Sequence, residues 1–133
     1  ADTSGLLALF NRREPAHQQV AALVASLGEA LVVSPFVLAE LDYLVATRMG
    51  GDAELAVLRE VAGGAFIVPE FGPPDLAQAA EVIARYADLG IGLADASLVV
   101  LASRLGTRGI LTLDRRHFAV VRPLDGGRFK ILP

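Results

Sequence analysis

Short apolar runs that alternate with helical segments are the feature that most limits how this chain can fold. Four runs have the length and composition of buried strands, and polar or turn-forming residues bound them. Between the runs, apolar residues recur at helical spacing. Strands that alternate with helices predict parallel pairing in a sheet that helices cover on both faces. The predicted strands are residues 31–34, 65–68, 109–113 and 129–132.

This alternation predicts the α/β class, as an α/β/α sandwich with a central, mostly parallel sheet, in a single domain over residues 1–133. A fold of this kind normally begins with a strand, yet only Ala1 precedes Asp2. Either the first strand is very short or a few leading residues are missing from the sequence. Helices are predicted over residues 2–11, 15–28, 35–48, 52–62, 75–86 and 93–105.

Composition removes several kinds of site. The chain has no cysteine, which excludes disulfides, zinc–thiolate centres and thiol nucleophiles. Its two histidines, His17 and His117, are too few for a multi-histidine metal site, and we expect His117 to lie in a surface loop. No apolar run approaches the roughly 20 residues of a membrane span, and the first residues lack the layout of a secretory signal. We therefore expect a cytoplasmic enzyme or binding domain with no membrane partner.

Acidic residues stand where a fold of this kind would place a ligand. In open parallel sheets, ligands bind beyond the carboxyl ends of the strands. Asp114 directly follows the predicted strand 109–113, and Asp2 stands where a first strand would end. Asp95 is the only acid in a strongly apolar predicted helix.

Glu40 is the fourth acid of interest. On a helical wheel it falls within the apolar arc that includes Phe36 and Leu44, whereas Asp42 falls on the opposite side. A carboxylate that faces a core is costly unless it is paired or bound to a metal. The wheel therefore predicts that Glu40 faces inward.

Each of these acids also has an ordinary structural explanation. Asp2 would cap a helix, Glu40 would reach solvent from the edge of its arc, Asp95 would complement a helix dipole, and Asp114 would form a turn. Together they suggest more, because clustered carboxylates repel one another and need a cation to stay ionised. Oxygen ligands suit Mg²⁺ or Mn²⁺, which support phosphoryl chemistry.

Four segments in this order give the chain a resemblance to the PIN-domain ribonucleases, and among them to the VapC toxins of bacterial toxin–antitoxin pairs. The resemblance covers essentially the whole chain. The segments are DTSGLLA at residues 2–8, SPFVLAEL at 34–41, GLADAS at 92–97 and LTLDRRHF at 111–118.

The resemblance implies Mg²⁺- or Mn²⁺-dependent cleavage of structured RNA by metal-activated water. It also implies a protein that forms a homodimer and that a small cognate antitoxin neutralises. The positions that match the family's catalytic, metal-binding acids are Asp2, Glu40, Asp95 and Asp114. Asp2 and Asp95 are expected to hold the metal most directly, with Glu40 and Asp114 completing the shell directly or through water.

Hydroxyl and basic residues complete the expected site. Thr3, Ser4 and Thr112 match positions that orient the acids or the metal's waters. Arg115 and Arg116 are candidates for contacts to RNA phosphates, for which the guanidinium fork is suited. The alternative is that one of these arginines pairs with an acid or a helix end.

A departure from the family pattern concerns the last segment. Some relatives carry a further acid two or three residues after the last one, where this chain has Arg116 and His117. The substitution argues against a second metal and adds positive charge beside the site. It leaves open whether one or two ions bind.

The formal charge of −3 is unevenly distributed, since residues 1–99 carry 5 bases and 13 acids, whereas residues 100–133 carry 7 bases and 2 acids. The basic C-terminal third could form an interaction surface or consist of scattered solvated arginines.

Two other functions remain open at this stage. A phosphoacceptor signalling domain also uses acids and Mg²⁺ at a sheet edge, but here the strand 65–68 is followed by Pro69 and Glu70 rather than by an aspartate. A non-catalytic interaction domain with the same fold is the other alternative. The sequence does not identify the RNA or its cleavage site.

Overall fold

The computed structural model describes residues 1–133, and its four strands fall within the four predicted runs. The strands are β1 (Leu31–Val32), β2 (Phe66–Ile67), β3 (Gly109–Leu111) and β4 (Lys130–Leu132). The helices are α1 (Thr3–Phe10), α2 (His17–Leu27), α3 (Pro35–Met49), α4 (Gly51–Glu60), α5 (Pro73–Arg85), α6 (Leu93–Arg104) and α7 (Arg115–Val120). A π-helical turn (Val61–Ala65) and a 3₁₀ turn (Ala87–Leu89) complete the chain.

The sheet consists of two parallel strand pairs that the first two residues join. β1 pairs with β2, and β3 pairs with β4. The Ala1 nitrogen donates a hydrogen bond to the Val32 carbonyl at 2.7 Å, and the Asp2 N–H donates to the Leu111 carbonyl at 2.9 Å. Residues 1 and 2 therefore lie between β1 and β3 in the sheet.

Successive residues of β3 belong to different apolar clusters, as expected for a sheet between two helical layers. Ile110 is part of the main core of 22 buried residues. Its neighbour Leu111 packs instead with Ala8 of α1 and Val20 of α2. This arrangement confirms the predicted sandwich around a parallel sheet.

Helices α3 and α6 carry two of the acids and are fixed by different means. Ser34 caps α3 by accepting a hydrogen bond from the Phe36 N–H, and Pro35 occupies the first helical turn. Helix α6 is buried over most of its surface, as predicted, and Ala94 and Ala96 flank Asp95 in the interior. No helix combines the length and apolar character needed to cross a membrane.

Helix α7 was not predicted, and the expectation of a surface loop at His117 is wrong. Asp114 occupies the N-cap position and accepts a hydrogen bond from the Arg116 N–H. The helix has six residues, of which only Phe118 is buried. So short a segment gives little helical periodicity, although an aspartate is a favoured N-cap.

Gly5 permits the close approach of α1 to β3. A Cβ atom at this position would lie 2.7 Å from the carbonyl oxygen of Leu111 and 2.8 Å from the Cγ atom of the Leu111 side chain. We expect Gly5→Ala to lower the free energy of unfolding by about 1–3 kcal/mol, as overpacking does, in urea denaturation. Gly51→Ala is the matched control, because a Cβ there meets nothing within 4 Å. Equal stability of the two variants would contradict this account.

Candidate active site

Asp2 is the centre of a hydrogen-bond network at the carboxyl end of β3. Its Oδ2 atom accepts hydrogen bonds from the Thr112 hydroxyl at 2.7 Å and from the Ser4 hydroxyl at 2.9 Å. The Ser4 oxygen in turn accepts from the Leu113 N–H at 2.9 Å. Although Asp2 stands at the N-cap of α1, its side chain makes no capping bond. The carboxylate is therefore positioned for the site rather than for the helix, and Oδ1 is outside this network.

Thr112 and Ser4 also hold the loop that carries Asp114. The Asp114 N–H donates to the Thr112 hydroxyl oxygen at 3.0 Å and lies 3.3 Å from the Ser4 hydroxyl. Thr112 is fully buried, so its hydroxyl is shielded from competing water. The two hydroxyls thus couple the position of Asp2 to that of Asp114.

Thr3 performs the corresponding role for Glu40. Its hydroxyl donates to Glu40 Oε2 at 2.8 Å and links α1 to α3.

The prediction that Glu40 faces inward is wrong, because the Glu40 side chain is exposed. Asp42 is instead half-buried, and its Oδ1 atom is enclosed without a hydrogen-bond partner. The buried stripe of α3 is Val37, Leu41 and Val45. Both acids lie about 100° from the centre of that stripe, one on each side.

Asp95 contacts His117 and is within electrostatic range of Asp2. The His117 Nδ1 atom is 2.9 Å from Asp95 Oδ2, and both side chains are largely enclosed. Burial raises the pKa of Asp95 above its ordinary value, and the charge of Asp2 raises it further, whereas His117 opposes the shift. The mutual repulsion of Asp2 and Asp95 is the electrostatic condition that a bound cation would relieve.

Asp114 is paired with Arg116 at the start of α7. The Arg116 Nη2 atom donates to Asp114 Oδ2 at 2.8 Å, and its Nε donates to Oδ1 at 3.1 Å. These hydrogen bonds lower the pKa of Asp114 to about 2. Asp114 is therefore ionised throughout the neutral range, with both oxygens engaged by one guanidinium.

A buried chain of hydroxyls, which sequence reasoning missed, connects the helices that carry Glu40 and Asp95. The Phe36 N–H donates to Ser34, whose hydroxyl lies 2.6 Å from that of Ser97. Ser97 donates to the Ala94 carbonyl at 2.6 Å, so the Ser34 hydroxyl must donate to Ser97. Ser34 and Ser97 are fully buried. The sequence gives no signal for this pairing because 63 residues separate the two serines.

His117 is the other residue whose role sequence reasoning missed. Its position three residues after the N-cap Asp114 places it in the first turn of α7, where it reaches Asp95. The available signal was an aspartate suited to an N-cap, Asp114, followed three residues later by His117. This spacing indicates the position of His117 only once a helix is recognised to begin at Arg115.

The donor types around Asp2 fit a hard divalent cation. The four acids and the hydroxyls of Thr3, Ser4 and Thr112 offer only oxygen atoms. The structure does not gather three carboxylate or imidazole groups around one point. Instead, cationic or potentially cationic side chains from α7 contact two of the four acids, Asp95 and Asp114. The site thus has the oxygen donors that suit a divalent cation, and Arg116 places a positive charge beside Asp114.

Four of the seven basic residues in the C-terminal third are engaged within the chain. Arg115 donates to the Pro133 carbonyl at 2.9 Å, and Arg116 pairs with Asp114. Arg104 pairs with Asp75, and Arg108 pairs with Asp125. Much of the positive charge of the C-terminal third is therefore paired with groups of the same chain rather than free at the surface.

Comparison with known proteins identifies the family. The model of the PIN domain matches residues 1–123. The chain belongs to the PIN-domain family. It is 58% identical over 132 residues to Ribonuclease VapC26 of Mycobacterium tuberculosis, an alignment that covers 99% of this chain and 98% of the relative. These matches confirm the resemblance that four sequence segments had indicated.

Solved structures of PIN-family relatives share the fold. VapC20 of Mycobacterium tuberculosis, described as a sarcin–ricin loop cleaving toxin, matches with a TM-score of 0.85 and 23% identity over 99% of this chain and 97% of the other. DNA-bound VapBC from Salmonella typhimurium matches with a TM-score of 0.68 and 19% identity over 98% and 94%. At these identities the likeness supports the fold alone. Membership of the PIN family sets aside the phosphoacceptor alternative.

The raised pKa of Asp95 predicts a stability change in the metal-free PIN domain. Ionisation of Asp95 opposes folding, so its cost is absent below pH 3.8 and grows as the pH rises through the folded-state pKa. We expect Asp95→Asn to raise the melting temperature at pH 7 in EDTA, by an amount that vanishes in acid. The exposed Asp88 provides the control variant Asp88→Asn. A lower melting temperature for Asp95→Asn at pH 7 would refute this reading.

Proposed function

We propose that this PIN-domain protein is an Mg²⁺- or Mn²⁺-dependent endoribonuclease toxin that cuts structured RNA and that a cognate antitoxin neutralises. The VapC-type ribonuclease class rests on the 58% identity to Ribonuclease VapC26 over nearly the whole of both chains. The observation that supports the metal-dependent chemistry is the set of oxygen donors at Asp2, whose carboxylate is held by the Thr112 and Ser4 hydroxyls. The negative charge of Asp2 also acts on the partly enclosed carboxylate of Asp95.

Asp2 and Asp95 would hold the cation directly, and Glu40 and Asp114 would complete its shell. When bound, such an ion polarises the scissile phosphate and lowers the pKa of water. Thr112 and Ser4 hold the Asp2 carboxylate from one side, which leaves its Oδ1 for the ion. Thr3 orients Glu40 by donating to Oε2. The protein therefore supplies a fixed set of acids and needs no nucleophilic side chain.

The substrate in this proposal is a transfer RNA or a ribosomal RNA loop. Recognition of such RNA depends on loop shape and on backbone contacts. Arg115 and Arg116 stand beside Asp114 and would contact phosphates, since a guanidinium fork binds phosphate in two places. Such contacts position the RNA without specifying its sequence.

The partners in this proposal follow from the VapC-type relatives. One relative is a sarcin–ricin loop cleaving toxin, and two solved relatives are DNA-bound VapBC, one of them on a fragment of its own promoter. We place the protein in the cytoplasm as a homodimer that a small antitoxin covers at the acidic site. This location gives the enzyme access to its RNA.

Cleavage of RNA by the purified protein tests the proposal. With total RNA and Mg²⁺ or Mn²⁺, we expect new RNA ends at defined positions and no cleavage in EDTA. Asp95→Asn should lower the rate at least about 100-fold, because loss of even an outer-shell partner of a metal costs 10- to 100-fold. Asp88→Asn, which removes an exposed acid that is not one of the four, should cleave like the wild type. Cleavage that persists in EDTA would reject the metal.

Cleavage that is unchanged in Asp95→Asn would instead indicate a contaminating nuclease. Together with the absence of cleavage in a repurified sample, it would favour the alternative of a non-catalytic interaction domain. Mapping of the ends by sequencing identifies the RNA and its cleavage site, which the sequence leaves open.

Expression in bacteria without the antitoxin tests the toxin assignment. We expect growth to stop within a few generations of induction, because cleavage of a transfer or ribosomal RNA halts translation. Asp95→Asn, expressed to the same level of folded protein, should allow normal growth. Growth arrest by both proteins would show that toxicity does not depend on the acidic site.

A further inference from the structure

The first turn of α7 places two side chains against the acids of the site. Arg116 occupies both oxygens of Asp114 through its Nη2 and Nε atoms, at 2.8 and 3.1 Å. The Arg116 backbone N–H binds the same carboxylate at 3.2 Å. His117 contacts Asp95 Oδ2 at 2.9 Å. Two of the four acids thus have partners on consecutive residues of one helix.

The pairing of Asp114 with Arg116 is well suited to compete with a metal. A guanidinium and a divalent cation cannot share one carboxylate without repulsion, because both carry positive charge. The fork engages both oxygens, so a metal ion bound to either oxygen would lie close to the positively charged guanidinium. The Arg116 side chain is 82% exposed, so it can turn into solvent without disturbing the core.

We propose that Arg116 competes with the divalent cation for Asp114 and thereby weakens metal binding by the site. This inference rests on the proposed metal-dependent function. The competition acts through Asp114 alone, because Arg116 makes its side-chain hydrogen bonds to that residue. Arg116 therefore lowers the metal affinity, because a metal ion that binds Asp114 must overcome the repulsion of the guanidinium or displace it.

Titration calorimetry with Mn²⁺ on the purified metal-free protein measures this competition. We expect Arg116→Ala to tighten Mn²⁺ binding about two- to fivefold, the range that an exposed ion pair supports. Arg115→Ala is the matched control, since it removes the same charge from the adjacent residue but its guanidinium contacts the Pro133 carbonyl rather than an acid. Arg116→Gln should behave like Arg116→Ala and guards against a folding defect in one variant.

The background variant Asp114→Asn separates competition from a general effect of charge. In that background, Arg116→Ala should leave the Mn²⁺ affinity unchanged, because the carboxylate for which the two cations compete is gone. Equal effects of Arg116→Ala and Arg115→Ala would overturn the inference. So would a gain in affinity from Arg116→Ala that persists in Asp114→Asn.

Asp95→Asn distinguishes failure of this inference from failure of the proposed function. If the wild type binds Mn²⁺ and Asp95→Asn weakens that binding, the metal site stands. An unchanged affinity in Arg116→Ala then rejects the competition alone. If the wild type and Asp95→Asn bind Mn²⁺ equally, both the metal site and the competition are rejected.

Discussion

The backbone of Ala1 and Asp2 is the joint on which the rest of the structure depends. It bridges β1 and β3 by hydrogen bonds to the Val32 and Leu111 carbonyls, and so converts two strand pairs into one sheet. The Asp2 side chain lies at the same point, held by Thr112 and Ser4. The residue that completes the sheet is therefore also the centre of the acidic site. The absence of a side chain at Gly5 lets α1, which begins directly after Asp2, pack closely on β3.

The site balances negative charge with side chains from its own chain. Asp2 and Asp95 repel each other, and burial makes the ionisation of Asp95 still more costly. His117 opposes this effect by contacting Asp95, and Arg116 pairs separately with Asp114, both from α7. The net charge of −3 does not indicate this arrangement, because the electrostatics of the site depend on which basic side chain contacts which acid.

Sequence reasoning succeeded where the signal was local. The apolar runs located all four strands, and the parallel sandwich followed from their alternation with helices. It failed at α7, whose six residues carry too little periodicity. The prediction that Glu40 faces inward failed because the apolar arc on the helical wheel is wider than the buried face of α3. In the structure only Val37, Leu41 and Val45 of this helix are buried. Asp42, on the other side of that buried face, has a buried Oδ1 atom without a hydrogen-bond partner.

The sequence by itself determined the elements, the PIN-family membership and the acids and hydroxyls that its motifs carry. These are properties of residue type and spacing along the chain. Tertiary structure alone decided the contacts between distant segments: Thr3 with Glu40, Ser34 with Ser97, and His117 with Asp95. Polar contacts across 22 to 63 residues leave no periodic trace in the sequence, because hydrogen bonding depends on distances of about 3 Å that only packing sets.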